Sequence, residues 1–141
     1  MDIPNIKKIM EQNVSFLTAF NNQIDNFLDD LRIVCPNEKE FGMLKNGISI
    51  VKKTNPRIIL NQFNEIIIPY KEQLLLRNDS FFIVRDFQDD FTTVSSDYIS
   101  KVTNKLKELW KSGLTDDDKL KVWDYFQSLI SLAELASKKI N

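Results

Sequence analysis

The stretch between Pro4 and Pro36 constrains the fold more than any other part of the chain. It contains no glycine and no proline, and apolar residues recur along it at helical spacing. Proline is tolerated in the first turn of a helix but stops a helix that reaches it later. The stripe consists of Met10, Leu17, Ile24 and Leu31 with Phe20, Phe27 and Val34. The pattern predicts one long helix from about Pro4 to Val34.

The seven-residue spacing of this stripe is compatible with a coiled coil as well as with a core-facing helix. Phe16, Phe27 and Leu28 widen the stripe beyond a strict two-position seam. A wide apolar face is typical of a helix that packs into a globular core. We therefore expect the first helix to face a core rather than to form a coiled-coil dimer.

Capping residues and prolines divide the middle of the chain into further helices. Asn37 with Glu40 three residues later has the spacing of a capping box and predicts a second helix, which ends near Thr54. The dipeptide Asn55-Pro56 has the pattern of a helix start and predicts a third. Pro69 interrupts this third helix, which we expect to continue as a short, reoriented segment.

The C-terminal part of the chain predicts two more helices. The first runs from about Ser96 to Ser112, and Gly113 suits the left-handed residue that often ends a helix. Thr115 and Asp118 form a second capping-box pattern at the start of the last helix. Because the connection is short, an antiparallel hairpin is expected. The sequence thus predicts an all-α fold: a single domain over residues 1–141, built as a compact bundle of five to six helices with a long N-terminal helix and a C-terminal antiparallel helical hairpin.

Several residue types that carry chemistry are scarce. The chain has no histidine, which is the usual general base near neutral pH and the commonest metal ligand among side chains. Cys35 is the single cysteine, and we expect it to be inert against the core at the end of the first helix. The three glycines do not have the spacing of a phosphate-binding loop. We therefore expect no enzymatic activity and no cofactor.

Four groups of acidic residues have simpler interpretations than catalysis or metal binding. The groups are Asp116 to Asp118, Asp86 with Asp89 and Asp90, Asp29 with Asp30, and Glu65 with Glu72. The first suits a helix start, and the second a solvated loop without the frame of a calcium site. The other two are predicted to lie on exposed polar faces, so neither a metal site nor an acid–base pair is expected.

The charge and hydropathy of the chain restrict the classes of partner and the cellular locations that are expected. Nineteen basic and 20 acidic residues give a net charge of -1, and the short basic pairs are scattered. A nucleic-acid-binding surface normally has a basic excess, so nucleic acid is not the favoured partner. The N-terminal residues lack the apolar core of a signal peptide, and no segment has about 18 apolar residues in succession. We expect a protein that is not secreted and has no membrane span.

Aromatic residues are the main surplus, with ten Phe, three Tyr and two Trp. Such residues fill cores and are also enriched at interface hot spots. The candidate interaction patch consists of Trp110, Trp123, Tyr125, Phe81 and Phe82. Burial is expected for most aromatic residues, whereas Trp110 and Tyr125 are expected to be partly exposed because their polar atoms suit a rim. Residues 78–90, with Phe81 and Phe82, are expected to cover the bundle as a plug or to form a docking surface.

Several segments, taken together, resemble a known group of proteins. They are Phe27 to Leu31, Asn55 to Arg57, Ile68 to Gln73, Asp79 to Phe82, Leu109 to Lys111 and Val122 to Gln127. In this order they resemble short, uncharacterised, all-helical proteins of large nucleocytoplasmic DNA viruses, the giant viruses of algae and protists. The resemblance covers roughly Phe27 to Leu132. It implies a viral origin and a helical fold, and it assigns no reaction to any residue.

The expected function is therefore that of a non-enzymatic viral protein acting through protein–protein contacts. Its most concrete form is a minor capsid or virion-assembly component, located in the virion or in the cytoplasm of the infected host cell. One alternative is an intracellular adaptor or inhibitor that binds a host or viral regulatory protein. A second alternative is a nucleic-acid-associated subunit. The protein partner would be a viral structural protein or a host factor, and the oligomeric state stays open.

Overall fold

All regular structure in the computed structural model, which describes residues 3–83 and 97–138, is helical. The helices are α1 (Ile3–Val34), α2 (Glu40–Thr54), α3 (Ile58–Ile66), α4 (Lys71–Leu75), α5 (Ser80–Ile83), α6 (Tyr98–Trp110) and α7 (Asp116–Ala136), with a 3₁₀ turn at Ile68–Tyr70. Within the described ranges no strand is present. The predictions of an all-α fold and of a long N-terminal helix are confirmed, and α4 and α5 are only one turn or slightly longer.

Helices α1 and α7 form the largest helix–helix contact and run antiparallel. Near one end of this pair Asn13 Nδ2 donates to the backbone oxygen of Lys138 at 2.9 Å, and further along Gln23 Nε2 donates to Ser128 Oγ at 3.2 Å. Helix α2 packs on α1, whereas α6 packs on α2 and α3. The short link 111–115 joins α6 to α7, as the predicted hairpin requires. The main packing partner of α7 is nevertheless α1, because α6 buries its apolar face against α2, α3 and α5.

The core lies between these helices and is rich in phenylalanine. The largest side chains with almost no exposed surface are Phe20, Phe41, Phe63, Phe81, Phe82, Trp110, Leu28, Ile48, Ile59, Leu60 and Ile67. From Leu17 to Leu31, the stripe of α1 is buried as predicted for a core-facing helix, and Val34 is partly buried. The burial of most phenylalanine rings in the described residues follows from their lack of a polar atom.

Two predicted helix ends are wrong. Helix α2 begins at Glu40 without a side-chain cap, because residues 35–38 form a turn in which Glu38 N donates to the Cys35 oxygen at 3.0 Å. Gly113 does not adopt a left-handed conformation; its N–H donates to the Leu109 oxygen at 2.7 Å. A Cβ at this position would lie 2.8 Å from Leu109 Cδ2, so a larger residue would require the Leu109 side chain to shift.

The predicted capping box of α7 is confirmed. Thr115 Oγ1 accepts from Asp118 N, and Asp118 Oδ2 accepts from Thr115 N, both at 3.1 Å. Asp116 and Asp117 lie in the same first turn, where their charges favour the positive end of the helix dipole. The first acidic group is thus a helix start, as expected.

Replacing Thr115 by alanine is expected to lower the free energy of unfolding by about 1 kcal/mol, because the backbone N–H of Asp118 loses its acceptor, Thr115 Oγ1. Urea denaturation followed by circular dichroism measures the change. Thr115→Ser retains the hydroxyl and serves as the control, which should stay within about 0.5 kcal/mol of the parent protein. Equal stability of the alanine variant and the parent would show that the cap contributes nothing.

Candidate interaction surface

The aromatic patch predicted from the sequence is mostly core. Trp110, Trp123, Phe81 and Phe82 are all buried, so the prediction of a partly exposed Trp110 is wrong. The reason is that α5 lays Phe82 over the junction of α6 and α7, where its ring stacks on Trp110 at 4.4 Å between centroids. Of the two predicted alternatives, a plug over the bundle or a docking surface, Phe81 and Phe82 therefore form the plug. Phe87 and Phe91 lie outside the described residues, as do Asp86, Asp89 and Asp90.

Tyr125 is half-buried and holds α7 to α1. Its hydroxyl donates to the Asp30 carboxylate, and its ring stacks on Phe27 with centroids 4.8 Å apart. Burial, then the hydrogen bond to Asp30 and the charges of Asp30 and Asp29, raise the pKa of Tyr125 to about 12. The hydroxyl group of Tyr125 therefore forms part of the contact between α1 and α7 rather than the polar edge of an interaction patch.

The acidic pair Asp29–Asp30 is predicted from the sequence to lie on an exposed polar face. In the structure both residues are half-buried. Lys45 Nζ lies 2.6 Å from Asp29 Oδ1 and links α2 to α1, while Asp30 accepts the hydrogen bond of Tyr125. Both carboxylates are thus occupied by interhelical partners. The sequence missed these roles because the partners come from distant positions.

The predicted placement of Cys35 is confirmed, since it is buried directly after α1. Burial raises the pKa of the Cys35 thiol, and the negative charges of Asp118 and Glu38 raise it further. A thiol with a raised pKa is a poor nucleophile near neutral pH.

Glu65 and Glu72 are exposed, as predicted.

Two open clefts lie on the two sides of α2. One cleft of about 810 Å³ lies between α2 and the end of α1, and it is lined by Asp29, Arg32, Ile33, Pro36, Glu38, Lys39, Gly42 and Met43. The other, of about 570 Å³, lies between α2 and α6 and is lined by Glu40, Met43, Leu44, Gly47, Tyr98, Lys101, Asn104, Lys105 and Glu108. Met43 lines both clefts and is 70% exposed. We call these residues the α2 surface.

Close approach of Tyr98 to α2 shapes the second cleft. A Cβ at Gly47 would lie 2.6 Å from a ring carbon of Tyr98, so the ring can rest on the helix only because residue 47 is glycine. The backbone N–H of Tyr98 donates to Gln62 Oε1 at 3.0 Å, which ties the start of α6 to α3. The Nζ of Lys101 lies 5.6 Å from the Tyr98 ring centroid, within cation–π range.

Lys105 lies among three carboxylates of the α2 surface. Its side chain is only 12% exposed, and its Nζ lies 2.7 Å from Glu38, 3.7 Å from Glu40 and 3.5 Å from Glu108. The hydrogen bond to Glu38 raises the pKa of Lys105 despite the opposing effect of burial. The pKa of Glu40 is lowered, first by its own backbone hydrogen bond and then by Lys105.

Two cations of the same surface are left without such partners. Lys39 and Lys101 are exposed, and neither has a carboxylate within 4 Å among residues 3–83 and 97–138.

The sequence contains one indication of this surface that the prediction did not use. Met43 lies off the buried stripe of Phe41, Leu44 and Ile48, and a large apolar side chain at such a position is a candidate contact.

Alanine substitutions at the two glycines of α2 are expected to have opposite effects. At Gly42 a Cβ would meet Arg32 Nε at 3.5 Å, an ordinary contact, so Gly42→Ala should stabilise the protein by about 0.5–1 kcal/mol through helix propensity. At Gly47 the same gain is offset because Tyr98 must move. We expect no stabilisation by Gly47→Ala, measured by urea denaturation.

The double variant Gly47→Ala/Tyr98→Ala separates the two contributions. With the ring removed, Gly47→Ala should stabilise the Tyr98→Ala background by about 0.5–1 kcal/mol. If Gly47→Ala stabilises the parent protein as much as Gly42→Ala does, the close approach of Tyr98 does not constrain residue 47.

The described residues contain neither a metal-binding group nor a membrane-spanning helix. Within 3–83 and 97–138, no three Cys, Asp or Glu side chains come together as a set of metal ligands. In the same ranges every helix is too short or too polar to cross a lipid bilayer. Comparison of the chain with protein-family models, with curated proteins and with solved structures finds no match.

Proposed function

We propose that the protein is a non-enzymatic binding module that holds an amphipathic helix of a partner protein on the α2 surface. The observation that carries this proposal is the position of Met43, an exposed apolar ridge between two clefts. A helix bound in a groove is a common mode of peptide recognition, in which apolar anchors at helical spacing enter the groove. Flexible methionine side chains adapt well to such anchors.

The shape of the surface supports a helical partner. The cleft between α2 and α6 has Leu44, Gly47 and the Tyr98 ring among its lining residues, which supply apolar contact along the groove. On the other side of the Met43 ridge, the first cleft includes Ile33, which is exposed, and Pro36. A partner helix in one groove would place neighbouring apolar side chains against the ridge.

The charges of the surface favour acidic flanks on the partner. Glu38, Glu40 and Glu108 already surround Lys105, whereas Lys39 and Lys101 have no carboxylate partner among the described residues. Carboxylates on the bound helix would meet these two cations at the rim. Such rim charges contribute mainly to specificity and to the rate of association.

Two designed 18-residue helical peptides test this proposal. Both peptides carry leucine residues along one face of the helix. In one peptide this face is flanked on both sides by glutamate, and in the other by lysine. We expect the glutamate peptide to shift the backbone amide resonances of residues 29–47 and 98–108 in NMR spectra, and to bind at least ~10-fold more tightly than the lysine peptide. Equal binding of the two peptides, or shifts confined to other helices, would overturn the proposal.

Matched variants of α2 locate the contact. Met43→Glu places a carboxylate on the ridge and should weaken binding of the glutamate peptide at least ~10-fold, as should Lys101→Glu. Ile50→Glu is the control, because Ile50 is 66% exposed on the same helix and lines neither cleft. A loss of binding with Ile50→Glu that equals the loss with Met43→Glu would contradict the assignment of the clefts.

A narrower form of this function is a minor capsid or virion-assembly component, supported by the resemblance to giant-virus proteins. Quantitative mass spectrometry of purified particles tests it. A copy number in fixed proportion to the capsid proteins is expected. Absence from the particles would overturn the virion role and favour the alternative of an intracellular adaptor or inhibitor, for which the α2 surface would bind a regulatory protein.

A further inference from the structure

The first turns of α1 carry an apolar stripe that no described residue covers. Ile6, Met10 and Val14 are 39%, 56% and 64% exposed, respectively. They continue the face that is buried from Leu17 onward, and they are unlike a scattered set of surface residues because they repeat every four positions. A continuous exposed stripe of this kind marks an interaction surface.

The stripe is exposed because α7 does not extend far enough to cover it. Helix α7 ends at Ala136, and the chain beyond it reaches α1 at Asn13, whose Nδ2 donates to the Lys138 oxygen. The apolar residues of α1 on the far side of this contact have the pattern of a packed helix without a packed neighbour in the described chain. The seven-residue spacing of α1, which is compatible with a coiled coil, has no helix packed against it at this end among the described residues.

Charges along the stripe select the partner. At about 100° per residue, Lys7 and Glu11 lie on one side of the stripe, whereas Ile9, Gln12 and Phe16 lie on the other side and carry no charge. When two identical helices pack antiparallel about a twofold axis, the same side of each faces its counterpart. Lys7 of one copy then faces Glu11 of the other, and the converse pair forms as well. In a parallel pair the charged side of one helix would face the uncharged side of the other, so neither Lys7–Glu11 pair would form.

We propose that residues 6–14 of α1 pack against the same residues of a second copy of this chain, antiparallel and about a twofold axis. The contact is isologous, as in most dimers of identical chains. Nine residues of helix span roughly 14 Å, which is short for a protein–protein interface. The dimer is therefore weak and depends on protein concentration, and it uses a surface separate from the clefts beside α2.

Analytical ultracentrifugation of the full chain between 1 µM and 1 mM tests the dimer. A monomer–dimer equilibrium is expected, and Met10→Glu should raise its dissociation constant at least ~10-fold because two added carboxylates lie close together. Leu76→Glu is the control, since Leu76 is exposed outside α1. Dimerisation that survives Met10→Glu, or that is lost with Met43→Glu instead, would overturn the proposal, as would a monomer throughout the range.

A charge exchange tests the antiparallel arrangement. Lys7→Glu should weaken the dimer several-fold, and Lys7→Glu/Glu11→Lys should restore it, because the exchange re-forms both pairs. In addition, a mixture of Lys7→Cys and Glu11→Cys proteins should form more mixed disulfide than Lys7→Cys forms with itself on mild oxidation. Failure of the exchange to restore dimerisation, or preferred crosslinking of Lys7→Cys with itself, would show a different arrangement or a different partner.

Discussion

Replacing Phe82 by alanine is expected to lower the free energy of unfolding by about 3–5 kcal/mol. The Phe82 side chain is 0% exposed. Its ring lies 4.4 Å from Trp110, 5.3 Å from Trp123 and 5.7 Å from Phe126, measured between ring centroids. Truncation would leave a cavity between α6 and α7 that these rigid rings cannot easily fill. Urea denaturation followed by circular dichroism measures the change.

The neighbouring residue of α5 provides the control. Ile83 is 43% exposed, so Ile83→Ala should cost no more than about 1 kcal/mol. If Phe82→Ala does not fold, Phe82→Leu retains apolar volume and should cost about 1–2 kcal/mol. Similar small losses for Phe82→Ala and Ile83→Ala would mean that α5 does not anchor the junction of the C-terminal helices.

The second large effect is expected at high pH and depends on Tyr125. Its pKa of about 12 in the folded protein compares with 10.0 for an unperturbed tyrosine, mainly because burial disfavours the phenolate and because the hydroxyl donates to Asp30. Below pH 10 both states keep the proton, and the contribution of the phenol to stability is complete. As the pH rises from 10 through 12, the unfolded state loses the proton first, so stability falls by about 2 kcal/mol.

Tyr125→Phe isolates this contribution from the other groups that titrate at high pH. The variant lacks the hydrogen bond to Asp30 and should be about 1–2 kcal/mol less stable than the parent protein at pH 8. The gap should narrow between pH 10 and pH 12, as measured by urea denaturation at each pH. A gap of constant size across this range would show that the Tyr125 proton is not linked to folding.

Features that depend on neighbouring residues in the chain were predictable. The Thr115–Asp118 capping box is confirmed because both of its hydrogen bonds close within one helical turn. The long first helix is confirmed because propensity, periodicity and the two flanking prolines agree over many residues. Asn37 carries the same capping pattern but does not cap α2, because residues 35–38 form a turn and the helix begins only at Glu40. Glu38 and Glu40 pair instead with Lys105 of α6, a partner that the local pattern does not reveal.

The candidate site was much less predictable than the fold. Trp110 and Met43 illustrate the difference, because burial depends on what lies opposite a side chain rather than on the side chain alone. Trp110 is buried because α5 places Phe82 over it, and Met43 is exposed because it lies between two grooves on a helix whose other face is in the core. The spacing in the sequence places Met43 off the buried stripe of α2, but neither the grooves beside Met43 nor the ring over Trp110 can be read from residue type or spacing.

The sequence by itself determined that the chain is helical and where its long first and last helices lie, since these depend on contacts within a few residues. It also determined that the first helix carries one apolar stripe from Met10 to Leu31. Only the tertiary structure decided which part of that stripe is covered. Helices α7, α2 and α3 cover it from Leu17 onward, and α7 ends close to Asn13, because the length of one helix limits what another can bury.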